Sequence, residues 1–172
     1  MYVTFGSVAA GLGGFGSMYA EVVAALAGLP YRVLLTTGAG GDPAGLEPWP
    51  GNVHVERWWP QAEVMPMASA VVGHGGFGTT MTALAAGVPQ VVLPLFAFDQ
   101  TVNALRVAET GVGVHIGGGP EDVAAIPAAV SRVLSDESFR RAAEGVAAEI
   151  ASLPDVSAAV PILEAIAVGE PG

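Results

Sequence analysis

The residues best suited to chemistry gather in 58–103, and the centre of that stretch is Gly73-His74-Gly75-Gly76-Phe77-Gly78-Thr79-Thr80. It follows the apolar run Ala70-Val71-Val72, which reads as a strand, and leads into a helix predicted over 79–86 and closed by Gly87 and Pro89. A helix that opens after glycines leaves its first N–H groups unpaired and aimed at one spot. Its macrodipole adds roughly half a positive charge there, and Gly75, Gly76 and Gly78 present no Cβ to hold an anion off. That is the chemistry of a phosphate site. His74 stands inside the turn, where a ring N–H can donate to a phosphate oxygen; its alternative is a buried histidine satisfied by the protein itself.

Trp58-Trp59-Pro60-Gln61 follows the predicted strand Val53-His54-Val55. An indole just past a strand's carboxyl end suits stacking on a nucleobase as well as it suits a core. On the other side of the turn, Gln90-Val91-Val92-Leu93 predicts the next strand, and Asp99 is expected to cap the helix that carries Gln100 and Asn103. Taken literally, Gly73-x-Gly75-x-x-Gly78 with Asp99 about 20 residues beyond it is a dinucleotide fingerprint. An NAD(P)-dependent oxidoreductase is therefore one reading. Against it stand the histidine in the turn and the flanking Trp-Trp-Pro-Gln and Asp-Gln-x-x-Asn, none of which a dinucleotide site requires.

The whole constellation resembles the donor-binding half of GT-B glycosyltransferases, the inverting family that includes plant secondary-product enzymes and bacterial antibiotic and macrolide glycosyltransferases. In that family the pattern runs Trp-x-Pro-Gln, His-x-Gly, a short helix, a strand ending in Pro, then Asp/Glu-Gln and an Asn. Trp58, Pro60, Gln61, His74, Gly76, Pro94, Asp99, Gln100 and Asn103 match it in order. The resemblance implies that Trp58, with Trp59 as its one-residue alternative, and Gln61 hold the nucleobase. It implies that His74, Gly75, Gly76, Gly78 and Thr79 hold the diphosphate, and that Asp99 and Gln100 hold hydroxyls of the donor sugar; Asn103 reads as structural. Two departures stand out: Thr82 occupies the place of a ribose-binding glutamate in uridine-using relatives, and one extra residue separates Pro94 from Asp99.

The reaction implied is direct displacement at the anomeric carbon of a dTDP- or UDP-sugar by a hydroxyl of a small natural product, without cofactor or metal. The general base belongs to the other, acceptor-binding half in that family, so no catalytic residue is expected here. A third reading is a non-enzymatic nucleotide-sugar binding module. Thr82 favours a deoxysugar donor on dTDP, since a threonine lacks the carboxylate that would accept from both ribose hydroxyls.

Composition agrees with a globular domain. At 172 residues, 1–172 is a single domain of ordinary size, and 52% hydrophobic residues exclude a disordered chain. The net charge is −10 and all six basic residues are scattered arginines, which leaves no patch to neutralise a nucleic-acid backbone or an anionic membrane. No cysteine is present, which suits a reducing compartment, and the cytoplasm is the expectation. Residues 65–98 carry no charge, yet glycines and prolines cut them into pieces too short for a membrane span, so they read as a buried parallel sheet. No signal sequence opens the chain. Its first residues read at once as a strand, as though an N-terminal acceptor-binding half preceded them.

The elements that position the site alternate. Strands are expected at 1–7, 31–36, 53–55, 70–72, 90–93 and 111–116, and helices at 17–29, 79–86, 99–108, 121–134, 137–153 and 155–168, with a break at Pro127. Residues 38–51 read as an exposed loop. Gly11-Leu12-Gly13-Gly14-Phe15-Gly16 is a second literal fingerprint, but the strand after it ends in threonines instead of an acid, so it reads as a glycine loop. This alternation implies an α/β fold: a Rossmann-like doubly wound parallel sheet with helices on both faces, half of a GT-B fold, with its ligand site at the strands' carboxyl ends.

Overall fold

The central strands are short, rich in valine and buried on both faces, as a parallel sheet between helix layers requires. The structure is a computed structural model and describes residues 1–11 and 15–167. Along the chain run β1 (Tyr2–Thr4), α1 (Gly16–Leu26), β2 (Val33–Thr36), β3 (Val53–Glu56), α2 (Gln61–Val64), β4 (Val71–Gly73) and α3 (Phe77–Ala85). Then come β5 (Gln90–Val92), α4 (Phe98–Glu109), β6 (Gly113–His115), α5 (Ile126–Ser135), α6 (Glu137–Ser152) and α7 (Ala159–Ala167). All pairings are parallel, in the order β3-β2-β1-β4-β5-β6, so the sheet is doubly wound and reverses direction between β1 and β4. A ligand crevice belongs at the carboxyl ends beside that reversal.

Alternation along each strand sends side chains to two cores. Val3, Val72 and Val91 join Met18, Val22 and Leu26 of α1 and Ile126, Val130 and Val133 of α5 on one face. Tyr2 and Val71 pack with Val64, Met65, Ala83 and Val88 on the other, and Val92 with Ala104, Val107 and Ala143 beside them. The helices therefore cover both faces, as expected.

Several boundaries differ for identifiable reasons. Helix α3 begins at Phe77 instead of Thr79, because extended Gly76 serves as its cap and the Thr80 N–H reaches the Gly76 carbonyl at 3.0 Å. Gly78 thus falls in a first turn, where its N–H needs no intrahelical partner. Asp99 is not a helix cap; Ala97 holds that position and Asp99 lies inside the first turn of α4. Pro127 opens α5 instead of breaking it, since a first-turn proline forfeits no helical hydrogen bond. The expected loop 38–51 contains a 3-10 turn, Pro43–Leu46, and its Leu46 and Trp49 pack against the larger core.

The second glycine fingerprint, 11–16, includes residues 12–14, and the last helix is expected to end at Val168; residues 12–14 and Val168 lie outside the described residues. In α7 the apolar side chains of Val160, Ile162, Leu163 and Ile166 are exposed. Among the described residues no single helix is long and apolar enough to cross a membrane.

Candidate functional site

A cleft of about 600 Å³ opens at the carboxyl ends of β1, β2, β4 and β5. Of the sequence-predicted residues, Trp58, Trp59, Gln61, His74, Gly76, Gly78, Thr79, Thr82, Asp99 and Gln100 line it. Gly75 does not. Its φ is +82°, a Cβ there would stand 2.6 Å from the Gln100 carbonyl oxygen, and its own carbonyl accepts from Asn103 Nδ2 at 2.7 Å. Gly75 and Asn103 shape the turn by lashing it to α4, which accounts for the asparagine's structural reading.

His74 occupies the middle of the cleft wall. Its ring fits between two glycines: a Cβ at Gly6 would approach Cε1 to 2.9 Å, and one at Gly76 would collide with Nε2. The glycines of this turn therefore make room for the imidazole, a requirement additional to the approach of an anion. Burial pushes the His74 pKa below the ordinary histidine value, while the charge of Asp99 pulls it back up. The ring is thus neutral near pH 7. Its Nδ1 is buried with no hydrogen-bond partner among the described residues. Beside it, the N–H groups of Phe77, Gly78 and Thr79 open α3 with no side-chain cap. The uncapped start of α3 and the histidine that lines the same cleft can together bind an anion.

At the β3 end, Gln61 donates from Nε2 to Thr79 Oγ1 at 3.2 Å, so the glutamine that opens α2 fixes the threonine in the first turn of α3. Thr82 donates to the Gly78 carbonyl at 2.8 Å, which uses its hydrogen within the helix and leaves its oxygen as an acceptor only. Trp58 is 68% exposed and Trp59 40%, so neither is a core aromatic, and Trp58 is the freer to stack on a planar group. His54 and His115 lie elsewhere: His54 Nε2 contacts Glu56 at 2.8 Å, and the His115 ring meets the Gly117 carbonyl.

At the β5 end, Gln100 is 3% exposed, and its Oε1 accepts from the backbone N–H groups of Leu95 at 2.9 Å and Phe96 at 3.2 Å. This clamp shapes the loop that holds the extra residue after Pro94. It also explains why α4 starts where it does. Asp99 is exposed at the cleft mouth.

The sequence reading missed Thr4, Gly6, Ser7, Thr36, Arg57 and Phe96, all of which line the cleft. Most follow or end a strand at its carboxyl edge, which is the signal that could have found them. Arg57 is the one cation among the lining residues. Among the described residues no group of three or more His, Asp or Glu side chains is arranged to hold a metal ion.

Residues 16–166 match the family described as erythromycin biosynthesis protein CIII-like, C-terminal domain. The elloramycin glycosyltransferase ElmGT of Streptomyces olivaceus is 44% identical over 130 residues, which make up 74% of this chain and 31% of that relative. Among solved structures, the glycosyltransferase SnogD from Streptomyces nogalater is similar with a TM-score of 0.80 and 34% identity, over 96% of this chain and 43% of that one. Glycosyltransferase VinC, solved in complex with dTDP, gives a TM-score of 0.81 and 28% identity, over 96% of this chain and 41% of VinC. The chain spans less than half the length of each of these proteins.

Proposed function

The chain belongs to the erythromycin CIII-like C-terminal domain family, and from that premise we propose that it is the donor-binding part of an inverting, metal-independent glycosyltransferase. The enzyme transfers a deoxysugar from dTDP, or a sugar from UDP, to a hydroxyl of a small-molecule natural product. The observation that carries this reading is that the uncapped start of α3 and His74 line one cleft. A diphosphate is the ligand that suits both. Thr79, held by Gln61, adds a hydroxyl, and Trp58 offers an exposed ring for the base. Asp99 and Gln100, at the other end of the cleft, are assigned to the donor sugar.

In the reaction the acceptor oxygen bonds to the anomeric carbon as the bond from that carbon to the diphosphate oxygen breaks, with inversion at the carbon. Negative charge grows on the departing diphosphate. The α3 N–H groups and the His74 ring N–H stabilise it where it develops. The acceptor's proton goes to a general base outside this chain, on an acceptor-binding part that relatives of more than twice this length have room for. The exposed apolar face of α7 is a surface another part of the protein can cover. We place the enzyme in the cytoplasm, which the cysteine-free sequence suits.

Calorimetric titration of this chain with dTDP, UDP and NAD tests the reading. The two diphosphates should bind and NAD should not; the reverse order would restore the oxidoreductase reading. His74→Ala should weaken dTDP binding by about tenfold or more, since a hydrogen bond to a charged group contributes roughly 1.5 to 3 kcal/mol. The chain alone should transfer no sugar to a small hydroxylated acceptor. Transfer by a complete chain that includes the acceptor-binding part separates an enzyme from a binding module.

A further inference from the structure

Beneath the turn that holds His74, three hydroxyls form a chain whose hydrogens all run one way. Thr36 Oγ1 donates to Thr4 Oγ1 at 2.9 Å, and the Tyr2 hydroxyl lies 2.9 Å from Thr36 Oγ1. A threonine hydroxyl has one hydrogen and two lone pairs. With the Thr36 hydrogen committed to Thr4, Tyr2 must be the donor of the second bond. Thr4 Oγ1 also accepts from the Gly6 N–H at 3.4 Å. Both of its lone pairs are then occupied, and its own hydrogen has no acceptor among the described residues. None of the three side chains is more than 4% exposed, and all three border the cleft. A buried donor without an acceptor is costly, and a ligand in the cleft can supply one.

We propose that Thr4 Oγ1 is a diphosphate-binding donor, polarised by the Tyr2 and Thr36 hydroxyls behind it. The inference rests on the nucleotide-sugar reading. Position selects the diphosphate over the base or the sugar: Thr4 pairs in register with Gly73, the residue before His74, and Gly6 packs against the His74 ring. Phosphate oxygens accept hydrogen bonds and donate none when ionised, which fits a chain that ends on a donor. Head-to-tail alignment strengthens each hydroxyl in turn. A mere tie between β1 and β2 needs the Thr36–Thr4 bond alone, and gives no reason for the Tyr2 ring to carry a hydroxyl.

Titration of the 172-residue chain with thymidine diphosphate and with thymidine tests this. Thr4→Val keeps the branched shape and should weaken diphosphate binding by about tenfold while leaving thymidine binding unchanged. Thr4→Ser, which retains the hydroxyl, should restore most of the affinity. A folded Thr4→Val protein with unchanged diphosphate affinity overturns the inference, and so does an equal loss for thymidine. Should Thr4→Val fail to fold, Tyr2→Phe removes only the first donor and should cost about two- to threefold in diphosphate affinity alone; no change there overturns it as well. A wild-type chain that binds no nucleoside diphosphate sinks the nucleotide-sugar reading itself, a result distinct from a null effect at Thr4.

Discussion

The Phe96 ring is stacked on the imidazole of His74, with centroids 6.5 Å apart and planes 27° from parallel. Phe96 also meets Phe15 edge-on at 5.7 Å, so a loop residue after β5 joins the start of α1 to the turn after β4. Burial is the larger cause of the lowered His74 pKa, and this ring supplies part of that burial. In Phe96→Ala water should regain the imidazole, and its pKa should rise toward the ordinary value, read from the ring proton shifts by NMR. An unmoved titration would assign the desolvation to the backbone at Gly6 and Gly76 instead.

The same shift sets a pH dependence. A histidine whose folded pKa lies below its unfolded one favours the native state fully above the unfolded value, near pH 6.5, and that contribution is lost as pH falls through the folded value. Acidification from about pH 6.5 should therefore lower the melting temperature of the unliganded chain, and His74→Asn should flatten that fall. Asp136 and Asp155, whose carboxyls are held below the usual range by hydrogen bonds from Ser138 and Ser157, act only at lower pH. An unchanged pH profile in His74→Asn would remove the histidine from this role.

The Gln100 Oε1 holds the Leu95 and Phe96 N–H groups, and its amide nitrogen is the atom we propose for contact with a donor sugar. Gln100→Ala should lower stability by about 1 to 3 kcal/mol through the abandoned backbone donors. Gln100→Glu keeps the acceptor and loses the donor. It should preserve the melting temperature and weaken a nucleotide-sugar relative to the nucleoside diphosphate; equal affinity ratios in wild type and variant would leave Gln100 as a loop clamp alone.

The fold and the cleft of the candidate site were legible in the sequence wherever punctuation and order suffice. The glycines after Ala70-Val71-Val72 announce the turn and its helix, and the alternation of apolar runs with helical periods gives the doubly wound sheet. What was hidden depends on register between distant segments. Tyr2, Thr4 and Thr36 meet only because β1 pairs with β2 at those residues, and Gln61 reaches Thr79 only once α2 lies against α3. An extra residue between Pro94 and Asp99 could be counted, but its consequence, Phe96 over His74 with Gln100 clamping the loop, required the packed structure. Asp99 shows the converse failure, where a strong capping propensity yielded to that clamp.

Trp58 is the more exposed indole at the cleft, and stacking on a base should contribute roughly 1 to 3 kcal/mol. Trp58→Ala should therefore weaken dTDP binding by about 5- to 100-fold and leave pyrophosphate binding unaffected. A loss for pyrophosphate as well would mean that the indole supports the shape of the cleft; loss confined to Trp59→Ala would move the base one residue along the chain.

We infer that Thr82 bears on the choice between dTDP and UDP. A glutamate at this position on α3 could accept from both ribose hydroxyls, whereas Thr82 spends its hydrogen on the Gly78 carbonyl and offers a single neutral oxygen. One ribose hydroxyl can be accepted there, and a second would be left to find another partner, at a cost of roughly 1 to 3 kcal/mol if buried. Deoxyribose lacks the 2′-hydroxyl and avoids that cost. We expect dTDP to bind at least as tightly as UDP in paired titrations, and Thr82→Glu to shift the ratio toward UDP by supplying the missing acceptor. Tenfold tighter binding of UDP to the wild-type chain would refute the assignment, as would a Thr82→Glu variant whose preference stays where it was.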